Sequence, residues 1–180
     1  MDTGKRYFFN TIKDVKIDST GISILCDEGG NRMRSYRIEF SGYSYKMNNN
    51  SLKITYPDIK NSGNSSYNIR REDGTQTQLS IETMMCIGLV YLGMTDLVKG
   101  LDNKFIDSED VVDVLDGSGT ERARLKFGIK FNLNFDNIEV VHWSENLRRG
   151  QHIGVHVQRE LNRLREEQEN SFQKIESWLN

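Results

Sequence analysis

Basic side chains that could bind phosphate groups are concentrated in the last third of the chain. They are Arg122, Arg124, Lys126 and Lys130, followed by Arg148 and Arg149. Lys and Arg residues supply much of the affinity of proteins for the nucleic-acid backbone, because they replace its counterions. The cluster therefore indicates a phosphate-binding patch, and the alternative is that these are ordinary surface charges. The sequence leaves both interpretations open.

Two short strands and a helix are predicted around these basic residues. Residues 111–115 form an apolar run with one charge, and the turn residues 116–119 end it. Residues 138–141 form a second, β-branched run. Ser144 is predicted to be the N-cap of a helix that carries the last two arginines. The order strand, loop, strand, helix places the basic residues on the loop and on the helix.

Three motifs lie on these elements. They read Val112-Asp113-Val114-Leu115-Asp116-Gly117, Asn137-Ile138-Glu139-Val140-Val141 and Ser144-Glu145-Asn146. Together they resemble the ββα-metal core of HNH endonucleases, especially the phage and intron homing type. The resemblance covers residues 67–150 and implies that Asp113 and Asn146 are oxygen ligands of a divalent metal. It also implies a structural role for Asn137, which precedes the second strand.

One position departs from the motif of that family. Where the family has its catalytic His, this chain has Val114. Hydrolysis of a phosphodiester at neutral pH needs a group that takes a proton from the attacking water, and a metal that stabilises the developing charge. Valine has no lone pair and cannot act as that base. We therefore expect no catalytic residue and no required cofactor, with Asp113 and Asn146 left as a remnant Mg²⁺ site.

Composition and charge limit the classes of function. The 180 residues suit one domain of ordinary size or a small pair. The net charge of −2 gives no global basic field, and residues 93–110 are an acidic connector, so contact with DNA would depend on local patches. No apolar run is long enough to span a bilayer, so we expect no membrane contact. Cys26 and Cys86 lack metal-site spacing and are predicted to be reduced, buried thiols of a cytoplasmic protein.

The remaining periodicity predicts an α+β protein in three parts. In residues 1–62, alternation over 7–56, broken at 47–50, predicts a small antiparallel sheet. Its basic residues, Arg37 among them, form with aromatics either a nucleic-acid face or a solvated face. The part formed by residues 63–154 is predicted to hold a hairpin, an apolar helix over about 81–92, the acidic connector and the ββα module. The third part, 155–180, is predicted to be one long helix.

This C-terminal helix carries an apolar stripe at steps of three and four. Its members are Val157, Leu161, Leu164, Phe172, Ile175 and Leu179, interrupted by Gln168. Residues of mixed charge fill the other faces. The stripe is predicted to pack on the chain's own domain, and the alternative is a homodimer in which two copies pair as a short coiled coil.

Three functions remain open from the sequence. The first is a non-catalytic DNA-binding protein of phage type, derived from an HNH homing endonuclease, that binds through Asn146, Arg148, Arg149 and the basic loop. The second is a phage factor that binds a host or virion protein through its sheet or its C-terminal helix. The third is a metal-dependent DNA nuclease with an unconventional base. The motif residues favour the first and third, and the net charge favours the second.

Overall fold

Four antiparallel strands follow a short helix at the beginning of the fold. The computed structural model describes residues 4–30, 32–49, 64–119, 131–150 and 153–179. The first elements are α1 (Lys5–Thr11), β1 (Ile12–Ile17), β2 (Gly21–Asp27), β3 (Met33–Glu39) and β4 (Ser44–Asn49). The strands pair in the order of the sequence, each antiparallel to the next. The predicted α+β class and N-terminal antiparallel sheet are confirmed.

Two predicted boundaries in this part were wrong. Residues 7–11 were expected in a strand and lie in α1, because the buried side chains of Lys5, Phe8 and Thr11 repeat every three residues, which is a helical spacing. Residues 47–49 were expected to break the sheet but pair with β3. This pairing uses backbone groups, so the polar side chains of an edge strand do not prevent it. The strand predicted at 51–56 lies outside the described residues.

The predicted exposed basic face of the sheet also needs a correction at Arg37. Its side chain is only 8% exposed and forms an ion pair with Asp18, with 2.8 Å between Nη2 and Oδ1. Its Nη1 donates a second bond, at 3.0 Å, to Oγ of Ser23. A buried guanidinium needs such partners, because burial without them would be costly. Arg37 is therefore part of the sheet's internal structure.

Helix α2 (Ile81–Tyr91) lies at the centre of the core. The hairpin of β5 (Ser66–Arg70) and β6 (Gln76–Ser80) precedes it, and Oγ of Ser80 caps it by accepting a bond from N of Thr83. All residues from 84 to 90 are buried, so the helix contacts apolar groups on every side. One cluster of buried side chains joins the sheet, this hairpin, α2 and the strands that follow. The predicted hairpin and helix are confirmed.

The connector between α2 and the next strand is held at both ends. It contains two short 3₁₀ helices, Thr95–Leu97 and Asn103–Asp107. Nζ of Lys5 donates to the carbonyl oxygens of Phe105 (2.8 Å), Ser108 (3.0 Å) and Asp110 (2.7 Å). Burial lowers the pKa of Lys5 to about 8. These bonds fix the position at which the following strand begins.

The chain ends in a ββα unit and a long helix. Strands β7 (Val111–Val114) and β8 (Ile138–Val141) are antiparallel and are followed by α3 (Trp143–Gly150) and α4 (Ile153–Leu179). These four elements were predicted, but α3 begins before Ser144, because the N–H groups of Glu145 and Asn146 both donate to the carbonyl of His142. No helix in the described ranges, α4 included, is long and apolar enough to cross a membrane.

Helix α4 differs from its prediction in packing. Every residue from 163 to 179 is exposed. The expected packing of the apolar stripe on the chain's own domain is therefore wrong for this part of the helix.

Candidate nucleic-acid interface

Two carboxylates face each other across the β7–β8 pair. Asp113 is the register partner of Glu139. The neighbouring residues Val112, Val114 and Val140 are buried. Because successive side chains of a strand point to opposite faces, the two half-buried carboxylates lie on the face that looks away from the core. Like charges directly opposite each other destabilise a strand pair, so this arrangement requires a cation nearby.

Arg149, on helix α3, supplies that cation. Its Nη1 lies 3.0 Å from Oδ2 of Asp113 and 2.9 Å from Oε2 of Glu139, and its Nε donates to Oε1 of Glu145 at 3.0 Å. The bond to Asp113, followed by that to Glu139, raises the pKa of Arg149 above its usual value. Charge-assisted hydrogen bonds of this kind are among the stronger ones in proteins. Arg149 thus holds α3 against the strand pair.

Arg148 has a different environment on the same helix. Its side chain is 63% exposed, and its Nε donates to Oε2 of Glu145 at 2.9 Å. Hydrogen bonds from Arg148 and then from Arg149 lower the pKa of Glu145 to about 2. Exposed ion pairs between neighbouring helix positions contribute little to stability. A phosphate group could therefore take the place of Glu145 as the partner of Arg148 at little cost.

The position where HNH enzymes carry a base faces the core. Val114 is buried, and it lies on the opposite face of β7 from Asp113. The nearest histidine in the sequence, His142, is exposed at the start of α3, where its Nδ1 lies 2.8 Å from Oγ of Ser144. The backbone N of Ser144 also donates to Nδ1 of His142, at 3.3 Å. His142 is therefore engaged in local bonds at the beginning of the helix.

The asparagines of the motifs occupy two different settings. Asn137 ends a 3₁₀ helix before β8, and its Nδ2 donates to the carbonyl of Asn132 at 2.8 Å. Its own carbonyl accepts a bond of 2.8 Å from N of Leu115, which directly follows β7. These bonds hold the two strand ends together. Asn146 lies half-buried on α3.

The remnant Mg²⁺ site suggested by the resemblance was tested against the donor groups of the site. Among the described residues, no group of three or more His, Cys, Asp or Glu side chains is arranged to hold a metal ion. The carboxylate of Asp113 is already bonded to a guanidinium. A cation in that place competes with a metal for the same oxygens, so the arrangement does not favour a Mg²⁺ site at Asp113.

Sequence reasoning missed two members of this cluster. Glu145 could have been found, because acidic and basic residues three and four positions apart lie side by side on a helix. Glu139 could not, because its proximity to Asp113 depends on the register of two strands far apart in the sequence. The four basic residues of the loop, Arg122, Arg124, Lys126 and Lys130, lie outside the described residues, so their grouping with Arg148 stays a prediction.

Comparisons with known proteins gave no match to a protein-family model, to a curated protein or to a solved structure.

Proposed function

We propose that this chain is a non-catalytic DNA-binding protein whose ββα unit contacts the phosphate backbone through Arg148. The observation that carries the proposal is the packing of α3 against β7, which leaves the guanidinium of Arg148 accessible at the surface. The similarity of the three motifs to HNH endonucleases supports DNA as the ligand. An arginine that is paired only on its own helix can reorient towards phosphate without loss of a tertiary contact.

The two arginines of α3 have separate roles in this proposal. Arg148 contacts phosphate, and Arg149 keeps the helix in position through Asp113 and Glu139. The three carboxylates of the cluster offset the positive charge of α3, so a single module has a weak local field. We therefore expect the loop residues Arg122, Arg124, Lys126 and Lys130 to supply most of the remaining phosphate contacts.

Binding is expected without cleavage. Val114 stands at the position of the family's base, and Asp113 is bonded to Arg149. Neither group is free to activate a water molecule or to hold a metal in this arrangement. DNA incubated with the protein and Mg²⁺ should consequently stay intact.

A salt titration with a matched control tests the proposal. A labelled DNA duplex is titrated with the wild-type protein, Arg148→Ala and Arg163→Ala at about 50 and 200 mM salt, and the Mg²⁺ samples are analysed for nicks. Arg163 is the control because it is an exposed arginine that pairs with Glu167 on its own helix, outside the ββα unit. We expect Arg148→Ala to weaken binding and to reduce the slope of log K against log salt by about 0.9, the value for one phosphate contact.

Three outcomes would contradict the proposal. Absence of wild-type binding at the lower salt concentration would exclude DNA as the ligand. A salt slope unchanged by Arg148→Ala, or changed equally by Arg163→Ala, would exclude α3 as the contact. Mg²⁺-dependent nicking would show that the protein is catalytic.

A further inference from the structure

An uncovered apolar face runs along the second half of helix α4. It consists of Leu164, Phe172, Ile175 and Leu179, all exposed, with values of 63% for Phe172 and 81% for Leu179. Trp178, which is 84% exposed, lies beside it. Single exposed apolar residues are common, but a continuous row on one helix marks an interaction surface. This surface is separate from the ββα unit.

We propose that α4 pairs in antiparallel orientation with α4 of a second copy of this chain, about a twofold axis that passes Gln168. The proposal goes beyond DNA binding, since it concerns a different surface and a different partner. A twofold interface brings the same patch of both subunits together, so that residue i of one meets residue j of the other and the reverse. The row of apolar residues must then be symmetric about its centre.

The spacing of the row has this symmetry. Leu164 lies four residues before Gln168, and Phe172 lies four residues after it. Ile175, seven residues after it, has its counterpart in Leu161, seven residues before. Leu179 and Val157 stand eleven residues away on either side. An antiparallel pair would thus set an apolar residue opposite an apolar residue at each of these levels, over about 33 Å of helix.

The polar residue at the centre agrees with the same arrangement. At the twofold axis, Gln168 meets its own copy. A primary amide carries both donors and an acceptor, so two such side chains can bond to each other. A single polar position within an apolar seam fixes the register of paired helices, because any shift leaves it opposite an apolar residue.

Charge favours the antiparallel over the parallel orientation. Arg165 and Glu169 are four residues apart and lie on one flank of the row, and Glu167 lies on the other flank. In an antiparallel pair the same flanks meet, and Arg165 of one copy comes beside Glu169 of the other. In a parallel pair opposite flanks meet, and Glu167 comes beside Glu169. The first contact is attractive, and the second is repulsive.

The oligomeric state of the full chain tests the proposal. Sedimentation equilibrium over a range of concentrations should give a dimer for the wild type. Phe172→Glu places a charge within the row and should weaken dimerisation by at least about a hundredfold. Gln173→Glu introduces the same residue at the next position, away from the row, and should leave the dimer intact. A monomeric wild type, or a dimer that tolerates Phe172→Glu, would overturn the proposal.

Orientation is tested by charge exchange and by cross-linking. Arg165→Glu should weaken the dimer, and the double change with Glu169→Arg should restore it. A disulfide should form readily between two copies of Gln168→Cys, but not between two copies of Leu179→Cys, which lie about 33 Å apart along the antiparallel axis. The native Cys26 and Cys86 are buried and do not compete. Efficient cross-linking through Leu179→Cys would show a parallel pair and overturn the antiparallel register.

Discussion

Nη1 of Arg149 lies 3.0 Å from Oδ2 of Asp113, so that a residue expected to bind DNA is bonded to a residue expected to bind metal. The bond joins α3 to β7 across 36 positions of the sequence. Both groups are partly shielded from water. The contact therefore serves the stability of the ββα unit, and a ligand of either residue would have to compete with it.

Loss of this contact should destabilise the protein. In Arg149→Ala, Asp113 and Glu139 would remain opposed and half-buried without their shared partner. We expect the free energy of unfolding to fall by about 1 to 2 kcal/mol, in the range for hydrogen bonds between charged, partly exposed groups. Urea denaturation followed by circular dichroism measures this change.

Two further variants sharpen that measurement. Arg148→Ala removes an arginine from the same helix but only an exposed contact with Glu145, and its stability should stay close to that of the wild type. Arg149→Lys keeps the charge but lacks the planar fork that bonds several carboxylates, so it should recover only part of the loss. Equal stability of the two alanine variants would contradict the assigned role of Arg149.

The ion pair of Asp18 with Arg37 predicts a dependence of stability on acid. The hydrogen bond from Arg37 is the main cause that lowers the pKa of Asp18 below its usual value of about 4. A lowered folded-state pKa means that the unfolded chain binds the proton first. The stabilisation is therefore present above about pH 4 and is lost as the pH falls towards the folded-state pKa.

The variant Asp18→Asn isolates this contribution. It should be less stable at pH 7 by about 1 kcal/mol, a modest value because the side chain of Asp18 is 40% exposed. Its stability should also change less between pH 4 and pH 2 than that of the wild type. Denaturation midpoints measured across this range would contradict the prediction if both proteins lost stability in parallel.

Gly100 is predicted to be essential for the contact between the connector and β8. Its φ is +80°, and an added Cβ would lie 2.3 Å from the carbonyl oxygen of Val140. Gly100→Ala should cost at least about 2 kcal/mol of unfolding free energy, from the steric conflict and the backbone strain together. Gly93→Ala is the control, because φ is +70° there but no atom lies within 4 Å of the added Cβ. It should cost only about 1 kcal/mol, and equal losses would argue against the close approach at Gly100.

The two cysteines should be unreactive in the folded protein. Burial raises the pKa of Cys26 to about 12, and it also raises the pKa of Cys86. Since the thiolate is the reactive form, a disulfide reagent at pH 8 should label neither residue before unfolding and both after it. Rapid labelling of one thiol under native conditions would show that its part of the core opens or is exposed.

Local sequence patterns were sufficient for most regular elements. The hairpin of β5 and β6, the apolar helix α2 and the strands β7 and β8 follow from periodicity and from turn residues, which act over a few positions. Helix α1 was missed because residues 7–11 continue an alternation that is real from β1 onwards. The end of β4 was missed because its pairing uses the backbone of β3, and side-chain composition carries little information about such an edge.

The candidate site was predictable in its elements but not in its contacts. The order strand, loop, strand, helix was evident from the motifs, and Arg148 and Arg149 looked equivalent as neighbours on one helix. Their difference arises because one side chain points towards the strand pair and the other towards solvent. That distinction depends on how α3 rotates against β7 and on the pairing of Asp113 with Glu139, both of which are tertiary.

The bond between Arg149 and Asp113 also constrains the evolution of this chain. A histidine that replaced Val114 would stand beside a carboxylate already held by a guanidinium, so selection would gain no activity from that mutation alone. A mutation that removed Arg149 first would leave Asp113 and Glu139 in unrelieved repulsion and make the protein less stable. Each first step towards a metal-dependent nuclease is thus neutral or harmful by itself, and this sign of epistasis makes the present state an evolutionary trap.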